Sequence, residues 1–140
     1  MRRLIPDGAE VLDIVEEQLE HLERRKYRKV IRIGDHWRGQ YLHVPQAMLL
    51  DAWSASAEFA LRRFQLATLR LLRADMHFRK WERLLTNEKL ELETGERDFI
   101  AESLEHFTAV LTRTCQKYGY TDFQYRLLEE YERKIGTFQE

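Results

Sequence analysis

QAMLLDAWSASAEFALRRFQLATLRLLRADMHFRKWERLL, residues 46–85, runs for forty residues without a glycine or a proline. It holds Trp53, Trp81, Phe59, Phe64 and Phe78 together with arginines at helical spacing. A run with no breaker predicts one continuous helix, about 60 Å long at 1.5 Å per residue. On a helical wheel Arg63, Arg70, Arg73 and His77 share one side, with Arg62 and Lys80 at its margin. Trp53, Ala57, Ala60, Phe64, Leu71 and Phe78 fall on the opposite half, the expected core face.

Upstream, Pro45 suits the first turn of this helix, where a missing N–H costs nothing. Val30, Ile31 and Ile33, then Gly34-Asp35 and Gly39, then Tyr41, Leu42 and Val44 have the composition of a β-hairpin. Its strands would be Lys29–Ile33 and Gln40–Val44. Before it, Asp7 and Glu10 form a capping box for a first helix. Leu12, Val15, Leu19 and Leu22 make the apolar face of that helix, widened by Val11, and it frays near Tyr27.

Downstream, Thr86-Asn87 and Thr94-Gly95 mark a turn region. A third helix is predicted from about Glu96 to Tyr118, with Phe99, Ile100, Leu104, Phe107, Leu111, Cys115 and Tyr118 inward and Gly119 as its left-handed stop. Thr121 with Gln124 caps a last helix, and Tyr120 can staple onto Tyr125. Phe123, Leu127, Leu128, Tyr131 and Ile135 face inward there, and Gly136 ends it. The expected fold is therefore mostly α: a four-helix single domain over 1–140, with one long central helix and a short β-hairpin between helices 1 and 2.

Cys115 is the only cysteine, so no intrachain disulfide forms and no oxidising compartment is indicated. No apolar run is long enough for a transmembrane helix, and a cytoplasmic location is the default expectation. Net charge is −1, but the middle of the chain is basic and both ends are acidic. Residues 21–43 hold seven basic and two acidic groups, and residues 86–140 hold seven basic and twelve acidic. That asymmetry implies either an anionic partner for the middle or internal pairing with the acidic last two helices; internal pairing is the favoured reading.

Arg24, Arg25, Arg28, Arg32 and Arg38 interleave with Tyr27, His36, Trp37 and Tyr41. Cations neutralise phosphates and aromatics stack on bases, so this mixture suits single-stranded nucleic acid. Arg63, Arg70, Arg73 and Lys80 would extend the same surface. Trp37, in a polar turn on this reading, asks for a partner surface. Arg70 and His77, separated by six residues, resemble the Arg-x4–6-His element of the HEPN ribonucleases, small helical domains in which His and Arg act on RNA at a dimer interface. The resemblance covers eight residues, and the polar residue that usually follows the Arg is here Leu71. It ranks third, and no RNA turnover is expected.

Glu17 with His21 and Glu102 with His106 lie four apart. Helix-bundle metal sites use a spacing of three, and a spacing of four is an ordinary helix-stabilising pair, so no metal is expected. No cofactor is expected either: no phosphate-binding glycine loop, nucleophile elbow, zinc-ligand set or redox cysteine pair is present. Leu69, Leu72 and Met76 form a second apolar strip outside the main core arc. The long helix outreaches its neighbours, so it either kinks near Ala74–Arg79 or is covered by a second copy; the strip favours the second copy and predicts a homodimer or a subunit of a larger assembly. The leading expectation is a non-enzymatic helical interaction module: an adaptor, regulator or assembly factor paired with itself or another protein. A nucleic-acid-binding regulator acting on RNA or DNA is the alternative, and no membrane is involved.

Overall fold

The computed structural model describes residues 8–89, 91–119 and 122–139. These form six helices: α1 (Gly8–Glu23), α2 (Tyr27–Arg38), α3 (Met48–Ala60), α4 (Phe64–Asn87), α5 (Thr94–Tyr118) and α6 (Asp122–Gln139). A 3₁₀ turn, Pro45–Ala47, leads into α3. No strand occurs among the described residues. The helices group into two compact units, one up to Glu91 and one from Leu92. The expected four helices and hairpin are corrected at two places, both in the first unit.

The first correction is the hairpin. Residues expected as its first strand lie in α2, and Gly34 is its pivot. A Cβ on Gly34 would stand 2.2 Å from Ser54 Oγ and 2.9 Å from both the Leu50 carbonyl oxygen and Gln18 Nε2. Gly34 marks the close crossing of two helices, not a loop. The β-branched residues around it follow the packing: Val30 is buried and Ile31 and Ile33 are half-buried. Successive turns replace the second strand, with the N–H groups of Gln40, Tyr41 and Val44 donating to the carbonyls of Trp37, Arg38 and Tyr41. Trp37 sits on α2, not in a polar turn, half-buried and edge-on to His36 with ring centroids 4.9 Å apart.

The second correction is the long helix, which breaks at Leu61–Arg63. Arg62 takes a left-handed conformation, φ 62°. Its N–H donates to the Phe59 carbonyl at 3.0 Å, and the Arg63 N–H donates to the Glu58 carbonyl at 2.9 Å. That pair of bonds is a Schellman stop with arginine in the usual glycine position. α1 ends the same way. Arg25 has φ 60°, its N–H donates to Leu22, and the Lys26 N–H donates to His21. The residues that follow, Lys26 and Arg63, share nearly the same dihedrals (φ −90°, ψ 63° and φ −96°, ψ 67°). One turn geometry therefore closes both helix pairs. No kink falls at 74–79; α4 runs through it.

Gln18 bonding to the Val30 carbonyl and Tyr41 to Glu10 set α2 antiparallel to α1. Arg38 meeting Asp51, with Gly34 against Ser54, sets α3 antiparallel to α2. Arg70 on Glu58 and Arg73 on Asp51 set α4 antiparallel to α3. α3 touches α1, α2 and α4 and is buried almost all round, from Met48 to Phe59 with only Ser56 half-exposed. Ala52, Ser54, Ala55 and Ala57 let those neighbours approach closely. Leu71, Ala74 and Phe78 of α4 and Val11 and Val15 of α1 complete the core. Trp53 and Ala57 are buried as expected, but Phe64 is 45% exposed, because the break shifts the phase of α4 against α3.

In the second unit α5 opens with a reciprocal capping box between Glu93 and Glu96. Ile100, Leu104, Phe107, Leu111 and Cys115 are buried, and the Phe107 and Tyr131 rings lie 4.7 Å apart. Gly119, φ 90°, follows the last turn of α5, as expected. Gly136 does not end α6, which continues to Gln139. The expected caps at Asp7 and Thr121, the Tyr120 staple and the Tyr118 side chain lie outside the described residues.

Candidate functional site

α3 carries two acids, Asp51 and Glu58, two turns apart in an otherwise small and apolar helix. Because α3 is enclosed, both carboxylates are buried, and ions buried without partners cost several kcal/mol each (order of magnitude). Arginines from the neighbouring elements meet that demand. Arg73 of α4 forks onto Asp51, with Nε at 2.9 Å from Oδ2 and Nη2 at 2.5 Å from Oδ1. Arg38 of α2 donates its Nε–H to the same Oδ2 at 2.9 Å. Glu58 receives Arg63 Nη1 at 3.3 Å and Arg70 Nε at 3.5 Å. Arg70 also forks onto Asp35 of α2, at 2.8 and 3.2 Å. Burial works to lower the Arg70 pKa. The hydrogen bond and charge of Asp35, with the charges of Glu58 and Asp51, outweigh it and hold the group above its ordinary value.

The internal pairing foreseen from the charge pattern therefore exists for these four arginines, but their acids come from α2 and α3 rather than from the last two helices. Arg38, Arg63, Arg70 and Arg73 are spent on it. The acids were the missed residues. Their signal was available: two carboxylates seven apart inside an apolar stretch need cations, and a basic stripe follows directly. Gln18 was missed too. It is fully buried and its Nε2 donates to the carbonyls of Val30 and Leu50, at 3.0 and 3.3 Å.

The other basic residues behave differently. Arg24, Arg25, Lys26, Arg28, Lys29 and Arg32 are all exposed on the first turn and α2, and none makes an ion pair among the described residues. Lys80 is likewise exposed. On α4, Leu69 and Met76 are 59% and 65% exposed, with Leu72 half-buried between them.

The HEPN-like pair serves two separate structural bonds. Arg70 is held by Asp35 and Glu58, while His77 Nε2–H donates to the Val44 carbonyl at 2.7 Å. A carbonyl only accepts, so Nε2 carries the proton. Burial pushes the His77 pKa below its usual value. The Val44 bond and Asp51 oppose that, and Arg38 and Lys80 add to it, so the ring is neutral at pH 7. His21 and Glu17 form an i, i+4 pair at 3.8 Å. Among the described residues no three His, Cys, Asp or Glu side chains gather as metal ligands.

No protein-family model matches the chain, and no curated protein or solved structure matches it either. No described helix is long and apolar enough to cross a membrane.

Proposed function

We propose that the chain is a non-enzymatic helical interaction module that pairs with a second copy of itself along the outer face of α4. The observation that carries this reading is the strip Leu66, Leu69, Leu72 and Met76. Three of its members are 47–65% exposed. Leu69, Leu72 and Met76 recur at intervals of three and four, the spacing of a two-helix seam. A two-fold axis sets such a strip against itself, so one surface suffices for both partners. The break at Arg62 removes helix length as a reason for a dimer and leaves the strip as the reason. A seam of four side chains buries far less than an obligate dimer, so the association is reversible. Light scattering on dilution should show a shift from twice 17.0 kDa to the single-chain mass. Leu69→Glu should abolish the dimer and leave the helical spectrum and melting temperature of the monomer unchanged. A wild-type monomer at every concentration up to about 1 mM would remove the proposal.

A second reading keeps one observation of its own. Six exposed cations within nine residues, Arg24 to Arg32, without an ion-pair partner among the described residues, suit a phosphate backbone. Arg38, Arg63, Arg70 and Arg73 leave that surface because their charges are neutralised internally. Affinity for single-stranded RNA or DNA should then fall steeply with salt, and Arg24→Ala with Arg28→Ala should lower the slope by about two. Arg63→Gln should leave it unaltered. Absence of binding at low salt would end this reading.

A further inference from the structure

Between the loop preceding Pro45 and the C-terminal half of α4 lies a cavity of about 380 Å³. Leu42, Trp81 and Leu84 supply its apolar lining, and Lys80, Arg83, His43 and His77 line it with titratable groups. Two properties separate it from a chance depression. Lys80 and Arg83 are exposed and without an ion-pair partner among the described residues, unlike Arg70 and Arg73, about two to three and a half turns earlier on α4, and unlike Arg79, which pairs with Asp75. No Asp or Glu is among its described lining residues, so its cationic character is not neutralised locally. His77 adds no charge of its own at neutral pH. Its protonated Nε2 is bound to Val44, which leaves Nδ1 as a hydrogen-bond acceptor.

An apolar lining that includes two cations calls for a ligand of two parts. We propose that this cavity binds a small amphipathic anion: a carboxylate carried on an aliphatic or aromatic body. The body covers Leu42, Trp81 and Leu84, and the carboxylate sits between the Lys80 ammonium and the Arg83 guanidinium. The volume is at the small end of the range for ligand pockets, about 300–1,000 Å³, and suits a ligand of about a dozen non-hydrogen atoms. A bare inorganic anion would leave the apolar lining unused, and a neutral chain would leave both cations unused. Charge-assisted bonds from two cations supply orientation, and the covered apolar surface supplies the rest of the affinity.

Decanoate is the probe, titrated below its micelle concentration into the full chain and followed by calorimetry and tryptophan fluorescence. Decanol and inorganic phosphate are the controls, each lacking one part. The expected result is saturable one-to-one binding of decanoate, weakened at high salt, with decanol and phosphate each at least roughly tenfold weaker. The Lys80→Ala/Arg83→Ala variant should lose roughly tenfold or more in affinity for decanoate while keeping its weak affinity for decanol. Leu42→Asp, in an exposed loop position, should weaken decanoate without altering the helical spectrum. Decanol binding as well as decanoate, phosphate binding as well as decanoate, or a double variant that binds like the wild type would each overturn the proposal. So would no saturable binding up to about 1 mM, including the case in which an acidic peptide binds and decanoate does not.

Discussion

Replacing Gly34 by alanine tests the central crossing of the fold, because two physical effects oppose each other there. Alanine is favoured over glycine in a helix interior by about 1 kcal/mol, so on an open face Gly34→Ala would stabilise α2. Here the added methyl would lie 2.2 Å from Ser54 Oγ and 2.9 Å from the Leu50 carbonyl oxygen. The Ser54 hydroxyl can rotate away. The Leu50 oxygen is backbone of an enclosed helix, so α2 and α3 must separate by a few tenths of an ångström. Overpacking of this kind costs about 1–3 kcal/mol. The same methyl reaches to 2.9 Å of Gln18 Nε2, and displacing that amide from Val30 and Leu50 adds about 1 kcal/mol. Subtracting the propensity gain leaves a loss of about 1–3 kcal/mol. Urea unfolding followed by circular dichroism reads it as a lower midpoint. Gly39→Ala is the control: nothing lies within 4 Å of a Cβ there, and its φ of −67° suits alanine. It should be neutral or slightly stabilising. A Gly34→Ala protein at least as stable as the wild type would refute the crossing, and with it the helical assignment of residues 27–38.

Arg62→Gly relieves a left-handed arginine while keeping the Schellman bonds, so it should raise stability by about 0.5–1 kcal/mol in the same assay; Arg25→Gly should do likewise. Asp51→Asn leaves Arg38 and Arg73 facing an uncharged buried amide, and should cost about 2–4 kcal/mol, discounted from a fully buried pair because both arginines reach solvent. His77 should make the fold acid-sensitive. The folded ring resists protonation below the ordinary value of 6.5, whereas the unfolded chain takes up its proton there, so stability is full above about pH 6.5 and falls as pH drops through the lowered folded value. His77→Gln, compared with the wild type at pH 7 and pH 5, should show a smaller loss; an equal loss would place the acid sensitivity elsewhere.

Local periodicity was the part of the fold that the sequence displayed well. α5 was expected from Glu96 and begins at Thr94, with the same inward residues from Ile100 to Cys115 and the same glycine after its end. Both corrections arise where a residue's role is set by something distant in the chain. Gly34 is dictated by Leu50 and Ser54 on another helix, and nothing in the neighbouring residues distinguishes a crossing glycine from a loop glycine. Arg62 stops a helix because the carbonyls of Glu58 and Phe59 are capped by the chain as it turns, a device that needs no glycine and leaves no breaker to read. At the site, the wheel placed the arginines on one side, but a single wheel cannot show which helix they face. The exposed strip on α4 survived the break because Leu69, Leu72 and Met76 lie wholly downstream of it.

The buried acids of α3 also explain why the basic stripe cannot be read as one surface. A helix enclosed by three neighbours gains more from apolar residues than from ion pairs, since well-packed apolar replacements of buried pairs are often neutral or stabilising. What Asp51 and Glu58 add is registry. Asp51 is met by α2 and α4 together, and Glu58 by the turn and α4, so sliding either neighbour along α3 strands a buried charge. The stripe is thereby divided by function along its length. Arg63, Arg70 and Arg73 hold α4 to α3 and Arg79 pairs with Asp75 within α4, whereas Lys80 and Arg83 meet no acid among the described residues. Replacing Asp51 and Arg73 together by a well-packed apolar pair should cost less than Asp51→Asn alone, whereas Lys80→Ala should cost nothing measurable. If both substitutions cost the same, α4 is not divided in this way, and the cavity beside Lys80 loses its distinction from the rest of the helix.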